Sequence, residues 1–84
     1  MPTILNINGF RFIIWPADHE PPHVHVFKGK GEAKISIGTD DDEPRLMTIH
    51  GLAKQEVRQV WEIVAEHQEL LLAAWRDIHG NPDN

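Results

Sequence analysis

The sequence predicts a single α+β domain in which an antiparallel sheet of three to five strands precedes a long or broken C-terminal helix. Residues 1–49 contain short β-branched and aromatic runs separated by turn residues, a pattern typical of a strand meander. Residues 52–79 instead carry apolar side chains at helical spacing. Because 84 residues suffice for one small core, we expect one domain over residues 1–84, with a flexible tail at 80–84.

Turn signals divide the first half of the chain into strands. Asn8-Gly9 is a strong hairpin signal, and Gly29-Lys30-Gly31 marks a second reversal. Pro16 ends the second run, because proline cannot donate a hydrogen bond within a central strand. The predicted strands cover residues 3–7, 10–15, 23–28 and 32–37, with a last short strand at 46–49.

Alternation along these strands predicts two faces of different composition. The apolar face is expected to line the core and consists of Phe10, Phe12, Ile14, Val24, Val26, Ala33, Ile35 and Ile37. The opposite face mixes cations, imidazoles and aromatic rings, and consists of Arg11, Ile13, Trp15, His23, His25, Phe27, Lys34 and Ser36. We expect this second face to be accessible to solvent, with both of its histidines close to Arg11 or Lys34.

The apolar stripe of the second half predicts a helix from about Ala53 to His79. A straight helix of this length spans roughly 40 Å, whereas a six-residue strand spans about 20 Å. The helix must therefore either break near residues 66–69 or extend past the sheet and meet a second chain. Because no proline or glycine interrupts residues 54–79, the continuous helix is favoured. It would support a homodimer through Leu71, Leu72, Trp75 and Ile78.

The composition excludes several kinds of site. The chain has no cysteine, so disulfides, thiolate metal sites and cysteine nucleophiles are excluded. No segment approaches the roughly 18 apolar residues of a membrane span. The N-terminus also lacks a basic region followed by an apolar run. We therefore expect a cytoplasmic protein that does not contact membranes.

The net charge of −5 is unevenly distributed. Residues 1–34 carry four basic and three acidic side chains, whereas residues 35–84 carry four basic and ten acidic ones. This asymmetry indicates either two faces with different partners or acidic groups that solvate a loop and a helix.

The segment Asp18-His19-Glu20-Pro21-Pro22-His23-Val24-His25 concentrates the titratable side chains of the chain. Its two prolines stiffen the loop, because each fixes its own φ and biases the preceding residue toward extended geometry. His23 and His25 lie two residues apart on a predicted strand, so both rings project from the same face. This arrangement suits the positioning of titratable or metal-ligating groups.

If the segment is catalytic, acid–base chemistry is favoured over metal chemistry. Two neighbouring histidines can act as proton donor and acceptor in metal-independent phosphodiester cleavage, while Arg11 or Lys34 stabilises the developing charge. Histidine needs little tuning for this role near neutral pH. The candidate catalytic residues are His23, His25, Asp18, His19 and Arg11, and neither a metal nor another cofactor is assigned.

Two other interpretations remain open. In a metal site, His23 and His25 would supply two imidazoles, with His19, Asp18 or Glu20 completing the coordination shell. In a purely structural arrangement, Asp18 would cap the loop and the histidines would bond to backbone groups. The spacing alone does not decide between them.

Three stretches of the chain resemble a known family: Met1-Pro2-Thr3-Ile4, Gly9-Phe10-Arg11-Phe12, and the histidine segment extended to Val26. The helical segment Glu66-His67-Gln68-Glu69-Leu70-Leu71, followed by Trp75, extends the match over nearly the whole sequence. The chain thereby resembles the small bacterial proteins catalogued as domain of unknown function 4160. The resemblance implies a component of a two-protein toxin–antitoxin module with a cognate partner protein, and it implies no mechanism.

The leading hypothesis is therefore a toxin-like bacterial protein whose histidine and basic sheet face engages RNA or another anionic target. The alternative is a non-catalytic protein-interaction module in which the histidines are structural. A metal-binding enzyme is the third hypothesis. The expected partners are a cognate antitoxin-like protein, RNA, and a second copy of the chain.

Overall fold

The computed structural model describes residues 3–39 and 41–80, which form a five-stranded antiparallel sheet followed by two helices. The predicted α+β fold class is confirmed. The strands follow one another as a meander in the order β1-β2-β3-β4-β5. Their bounds are β1 Thr3–Ile7, β2 Phe10–Ile13, β3 His23–Lys28, β4 Gly31–Ser36 and β5 Arg45–His50. The helices are α1, Lys54–Glu66, and α2, Gln68–His79.

The β1–β2 hairpin forms at the predicted Asn8-Gly9 turn. Both residues have positive φ, 54° and 83°, which is the geometry that a two-residue hairpin turn requires. Three strands differ from their predicted extent. Strand β2 ends at Ile13 rather than at Trp15, β4 covers Gly31–Ser36 rather than 32–37, and β5 runs over Arg45–His50 rather than 46–49. Residues 81–84 of the predicted tail lie outside the described residues, as do Met1 and Pro2 of the first family motif.

The predicted apolar face of the sheet is the core face. All eight of its residues are buried and belong to one apolar cluster. Both helices pack on this cluster, α1 through Val60, Ile63 and Val64 and α2 through Leu71, Leu72 and Trp75. Period-2 alternation therefore identifies the core residues of the sheet correctly.

The helical segment breaks at His67, between α1 and α2. The His67 backbone N–H donates to the carbonyl oxygens of both Ile63, at 3.0 Å, and Val64, at 3.2 Å, which closes α1. The Gln68 side chain then donates to the backbone carbonyls of Ile37, at 3.0 Å, and Asp42, at 2.8 Å. These two bonds fasten the start of α2 to the end of β4 and to the loop that follows it.

The break overturns the expectation of a continuous helix. Leu71, Leu72 and Trp75 are buried in the core of their own chain, and Ile78 is half-buried against it. The four residues were expected to lie beyond the sheet only because the helix was taken as straight. Because these side chains pack in the core of their own chain, they do not form the apolar surface on which the expected homodimer was based.

The N-terminus of α1 is tied to the sheet by Glu56. Its carboxylate accepts a 2.9 Å hydrogen bond from the Ala53 backbone N–H and lies 3.4 Å from the Lys28 ammonium. The Ala53 bond, followed by the Lys28 charge, lowers the pKa of Glu56 below its usual value. The Lys28 ammonium also lies 4.7 Å from the centre of the Phe10 ring.

Edge strand β5 is exposed along its whole length. Leu46 and Ile49 pair with core residues Ile35 and Ala33 of β4, so they face the core side of the sheet. They nevertheless remain 38% and 39% exposed, and the neighbouring Met47, at a β-bulge, is 42% exposed. The helices thus cover edge strand β5 only in part. Within residues 3–39 and 41–80, neither helix is long and apolar enough to cross a bilayer.

Candidate histidine and aspartate site

The loop between β2 and β3 is closed by Asp18. The Trp15 N–H donates to Asp18 Oδ2 at 3.2 Å, and the Asp18 N–H donates back to the Trp15 carbonyl at 3.0 Å. At the other end of the loop, the Ile37 N–H donates to the Pro22 carbonyl at 3.0 Å. The loop is therefore held at both ends, which fixes the position of the Asp18 carboxylate.

Asp18, His23 and His25 converge to form the histidine–aspartate cluster. His25 Nε2 lies 3.2 Å from Asp18 Oδ2 and 3.4 Å from Oδ1. His23 Nε2 lies 3.4 Å from the same Oδ2 atom. One potential ligand atom from each of the three residues lies within 4.8 Å of the other two, so this cluster has the spacing to hold a metal ion.

The tautomer of neutral His23 follows from its contact with Pro21. His23 Nδ1 lies 2.8 Å from the Pro21 carbonyl oxygen, and because a carbonyl only accepts, Nδ1 must carry the proton. The Nε2 atom of the neutral ring is then an acceptor. It is buried and makes no hydrogen bond, because its 3.4 Å approach to Asp18 lacks hydrogen-bond geometry.

Trp75 of α2 covers the His23 ring. The two ring centres are 5.3 Å apart, and the His25 ring meets His23 edge-on at 5.2 Å. Trp75 also stacks on the His79 ring, with the ring centres 3.8 Å apart, and His79 Nδ1 donates to the Trp75 carbonyl at 3.0 Å. Like His23, His79 has a buried Nε2 atom without a hydrogen-bond partner.

The structure brings together three of the five predicted catalytic residues, Asp18, His23 and His25. His19 is exposed and does not belong to the cluster. Arg11 is exposed on the same sheet face, where it pairs with Phe27 of β3.

The expected exposure of this face is wrong at His23, which is 4% exposed. It is also wrong at Ile13, which pairs with His25 and is 1% exposed. Two contacts explain the burial of these residues. Trp75 packs on His23, and Asp18 is bonded to His25, so its loop lies over this part of the face. His25 keeps partial access, with 22% of its side chain exposed.

Sequence reasoning missed Trp75 and His79 as neighbours of the site. Their separation of four residues on a helix does predict that they contact each other. Nothing local predicts that Trp75 reaches His23, because this contact depends on the break at His67.

A cation lies directly beside the accessible part of the cluster. Lys34 of β4 is the cross-strand partner of His25, so the two side chains are neighbours on one face. Phe27 of the same strand as His25 lies two residues further along that face.

The family comparison covers the part of the chain that contains this site. The model of the family described as "Domain of unknown function (DUF4160)" matches residues 9–76, which include the whole cluster and Trp75. The chain belongs to this family. No curated protein and no solved structure matches this DUF4160 protein, so its site must be interpreted from its own residues.

Proposed function

We propose that this DUF4160 protein is the toxin-like member of a two-protein module and that it binds RNA through the sheet face opposite its core. The relevant surface, here named the basic face, consists of Arg11, His25, Phe27 and Lys34. The observation that carries the proposal is the placement of Lys34 directly across from the partly exposed His25.

The strand register supports a continuous basic face. Arg11 pairs with Phe27, and Lys34 pairs on its two sides with His25 and Thr48. Residues that are paired in an antiparallel ladder project from the same face. Three adjacent strands therefore contribute two cations, one imidazole and one aromatic ring to a single surface.

The charge distribution of the whole chain favours an anionic ligand here. The net charge is −5, yet the excess of acidic side chains belongs to residues 35–84, on the loop after β4 and on the helices. Such segregation makes an anion less favourable on the loop after β4 and on the helices than on the basic face, which itself borders the carboxylates of Glu32 and Asp18. The paired Glu32 of β4 is the acidic side chain nearest to Phe27 in the ladder.

The residue types on the basic face suit single-stranded RNA. Arginine and lysine bind phosphate oxygens, and an aromatic ring on a sheet surface stacks with an unpaired base. Phe27 is half-buried, so its ring is held in place by its neighbours while one part stays accessible.

The first test is fluorescence anisotropy with a labelled single-stranded RNA of mixed sequence. Arg11→Ala and Lys34→Ala should each weaken binding by about twofold to fivefold, from roughly 0.5–1 kcal/mol per exposed ionic contact. Arg58→Ala on α1 is the matched control, because it removes an exposed cation from the helical side and should leave affinity unchanged. Equal effects of all three variants, or no binding by the wild type, would overturn the proposal.

The role as a toxin-like component is tested in cells. Expression of the wild-type chain should arrest bacterial growth, and coexpression of the protein encoded beside it should restore growth. The Arg11→Ala/Lys34→Ala double variant should be less toxic at equal abundance. Unimpaired growth with abundant, folded wild-type protein would contradict this role.

Strand β5 favours a second candidate function, that of a protein-interaction module. A sheet edge exposes unpaired backbone groups, and here it also carries Leu46, Met47 and Ile49 in contact with solvent. The occupant we infer is a second copy of the chain, with the two β5 strands antiparallel about a twofold axis.

Charge complementarity supports this arrangement. Asp41, Asp42 and Glu43 precede β5, which begins at Arg45 and ends at His50, and Lys54 follows it. Antiparallel pairing places the acidic end of one strand beside the basic end of the other.

Light scattering tests the second candidate. Ile49→Lys should convert a dimer into a monomer, whereas Leu70→Lys, on α2 and 48% exposed, should not. A wild-type monomer at high protein concentration would refute self-association through β5.

A further inference from the structure

We propose that the histidine–aspartate cluster binds a divalent transition-metal ion through Asp18, His23 and His25. The inference concerns metal binding alone and does not depend on RNA binding. It follows from the convergence of three ligand atoms, from the unpaired acceptor on His23, and from the hydrogen bonds that orient the ligands.

The distances within the cluster suit a shared cation. Bonds of about 2.0–2.2 Å from a metal to imidazole nitrogen or carboxylate oxygen place adjacent ligand atoms roughly 3–3.5 Å apart. Asp18 Oδ2 lies 3.2 Å from His25 Nε2 and 3.4 Å from His23 Nε2. Both rings therefore approach the carboxylate at the separation that a common metal ion requires.

The His23 ring supplies the independent observation. Its Nδ1–H is committed to the Pro21 carbonyl, so its Nε2 atom is left as an unpaired acceptor 3.4 Å from a carboxylate oxygen, which is also an acceptor. With 5% of the side chain exposed, water does not readily satisfy this atom. Two acceptors that face each other in a buried site are stabilised by a cation between them.

A proton could supply that positive charge, but the geometry favours a metal. Protonated His23 would need a hydrogen bond to Asp18, and the present approach of Nε2 does not have that geometry. His25 Nε2 also approaches the same Oδ2 atom. A metal ion accepts all three ligands at once, whereas a proton satisfies one pair.

Hydrogen bonds from neighbouring groups orient the proposed ligands. A ligating histidine usually donates its other ring N–H to a carbonyl or carboxylate, as His23 does to Pro21. Asp18 is fixed in turn by the Trp15 N–H. The ligands are thus oriented without a metal, which lowers the cost of binding one.

The ligand set indicates the class of metal. Two imidazoles and one carboxylate suit zinc, iron(II), cobalt or nickel better than magnesium or calcium, which prefer oxygen ligands. Three protein ligands also leave coordination positions open for water or another ligand, as in catalytic sites. The side chains of His25 and Asp18 are 22% and 17% exposed, so the site keeps partial access to solvent.

The test is calorimetric titration of tag-free, EDTA-treated protein with Zn²⁺, supported by the visible absorption of bound Co²⁺. The wild type should bind one equivalent and melt at a higher temperature in its presence, because the ion binds the native state. Asp18→Asn and His25→Ala should weaken binding at least about tenfold. Because His23 is buried, these two variants carry the test, with circular dichroism confirming that each is folded.

His19→Ala is the matched control, since it removes an exposed histidine from the same loop and should bind Zn²⁺ as tightly as the wild type. Absence of saturable binding, or equal binding by the wild type and Asp18→Asn, would overturn the inference. The same holds if His19→Ala loses as much affinity as His25→Ala. RNA binding is measured separately, so a protein that binds Zn²⁺ but no RNA refutes only the proposed function.

Discussion

Replacement of Trp75 by alanine tests whether α2 packs in the core of its own chain or at an interface with a second chain. Trp75 is 4% exposed, contacts the apolar cluster and covers the His23 ring. Loss of a buried tryptophan side chain costs about 3–5 kcal/mol. At roughly 0.05–0.15 kcal/mol per residue, a domain of 84 residues has only about 4–13 kcal/mol of total stability. Trp75→Ala should therefore remove a large part of it.

Urea denaturation followed by circular dichroism measures this loss, and light scattering measures the mass. We expect a lower denaturation midpoint for Trp75→Ala with no change in oligomeric state. Leu70→Ala is the control on the same helix, because Leu70 is 48% exposed, and its substitution should change the free energy of unfolding by less than about 0.5 kcal/mol. A change below about 1 kcal/mol for Trp75→Ala, together with loss of a dimer, would place Trp75 at an interface and refute its position in the core.

Two further predictions concern the attachment of the helices to the sheet. Gln68→Ala removes both side-chain hydrogen bonds at the start of α2, to the carbonyls of Ile37 and Asp42. At roughly 0.5–1.5 kcal/mol per bond, the free energy of unfolding should fall by about 1–3 kcal/mol. An unchanged denaturation midpoint would show that these bonds do not hold the break in place. For Glu56, the folded state has a lowered pKa, so its contribution is present above the unfolded-state pKa and is lost as the pH falls through the folded-state value. Glu56→Gln should therefore differ from the wild type in stability at neutral pH and converge with it in acid, as measured by thermal denaturation; a constant difference across this range would contradict the role of the charge.

Local sequence patterns predict the sheet well because its contacts are periodic. Alternation assigns Phe10, Val24 and Ile35 to the core, and Asn8-Gly9 specifies the first hairpin. The motif likewise identifies Asp18, His23 and His25, since a short loop brings them within reach of one another.

The remaining features depend on contacts between distant parts of the chain. The break at His67 is stabilised by hydrogen bonds from Gln68 to Ile37 and Asp42. No proline or glycine in this segment predicts the break. The burial of His23 depends in turn on Trp75, which the break places beside it. The exposure of strand β5 also depends on the position of the helices, which its own sequence does not specify.

The salt dependence of RNA binding tests the central claim most directly, because it counts the phosphate contacts made by the basic face. The logarithm of the association constant should fall linearly with the logarithm of salt concentration. For single-stranded RNA, loss of one phosphate contact in Lys34→Ala should reduce the slope by about 0.7, whereas Arg58→Ala should keep the wild-type slope. A slope near zero for the wild type, or one that Lys34→Ala leaves unchanged, would contradict the account.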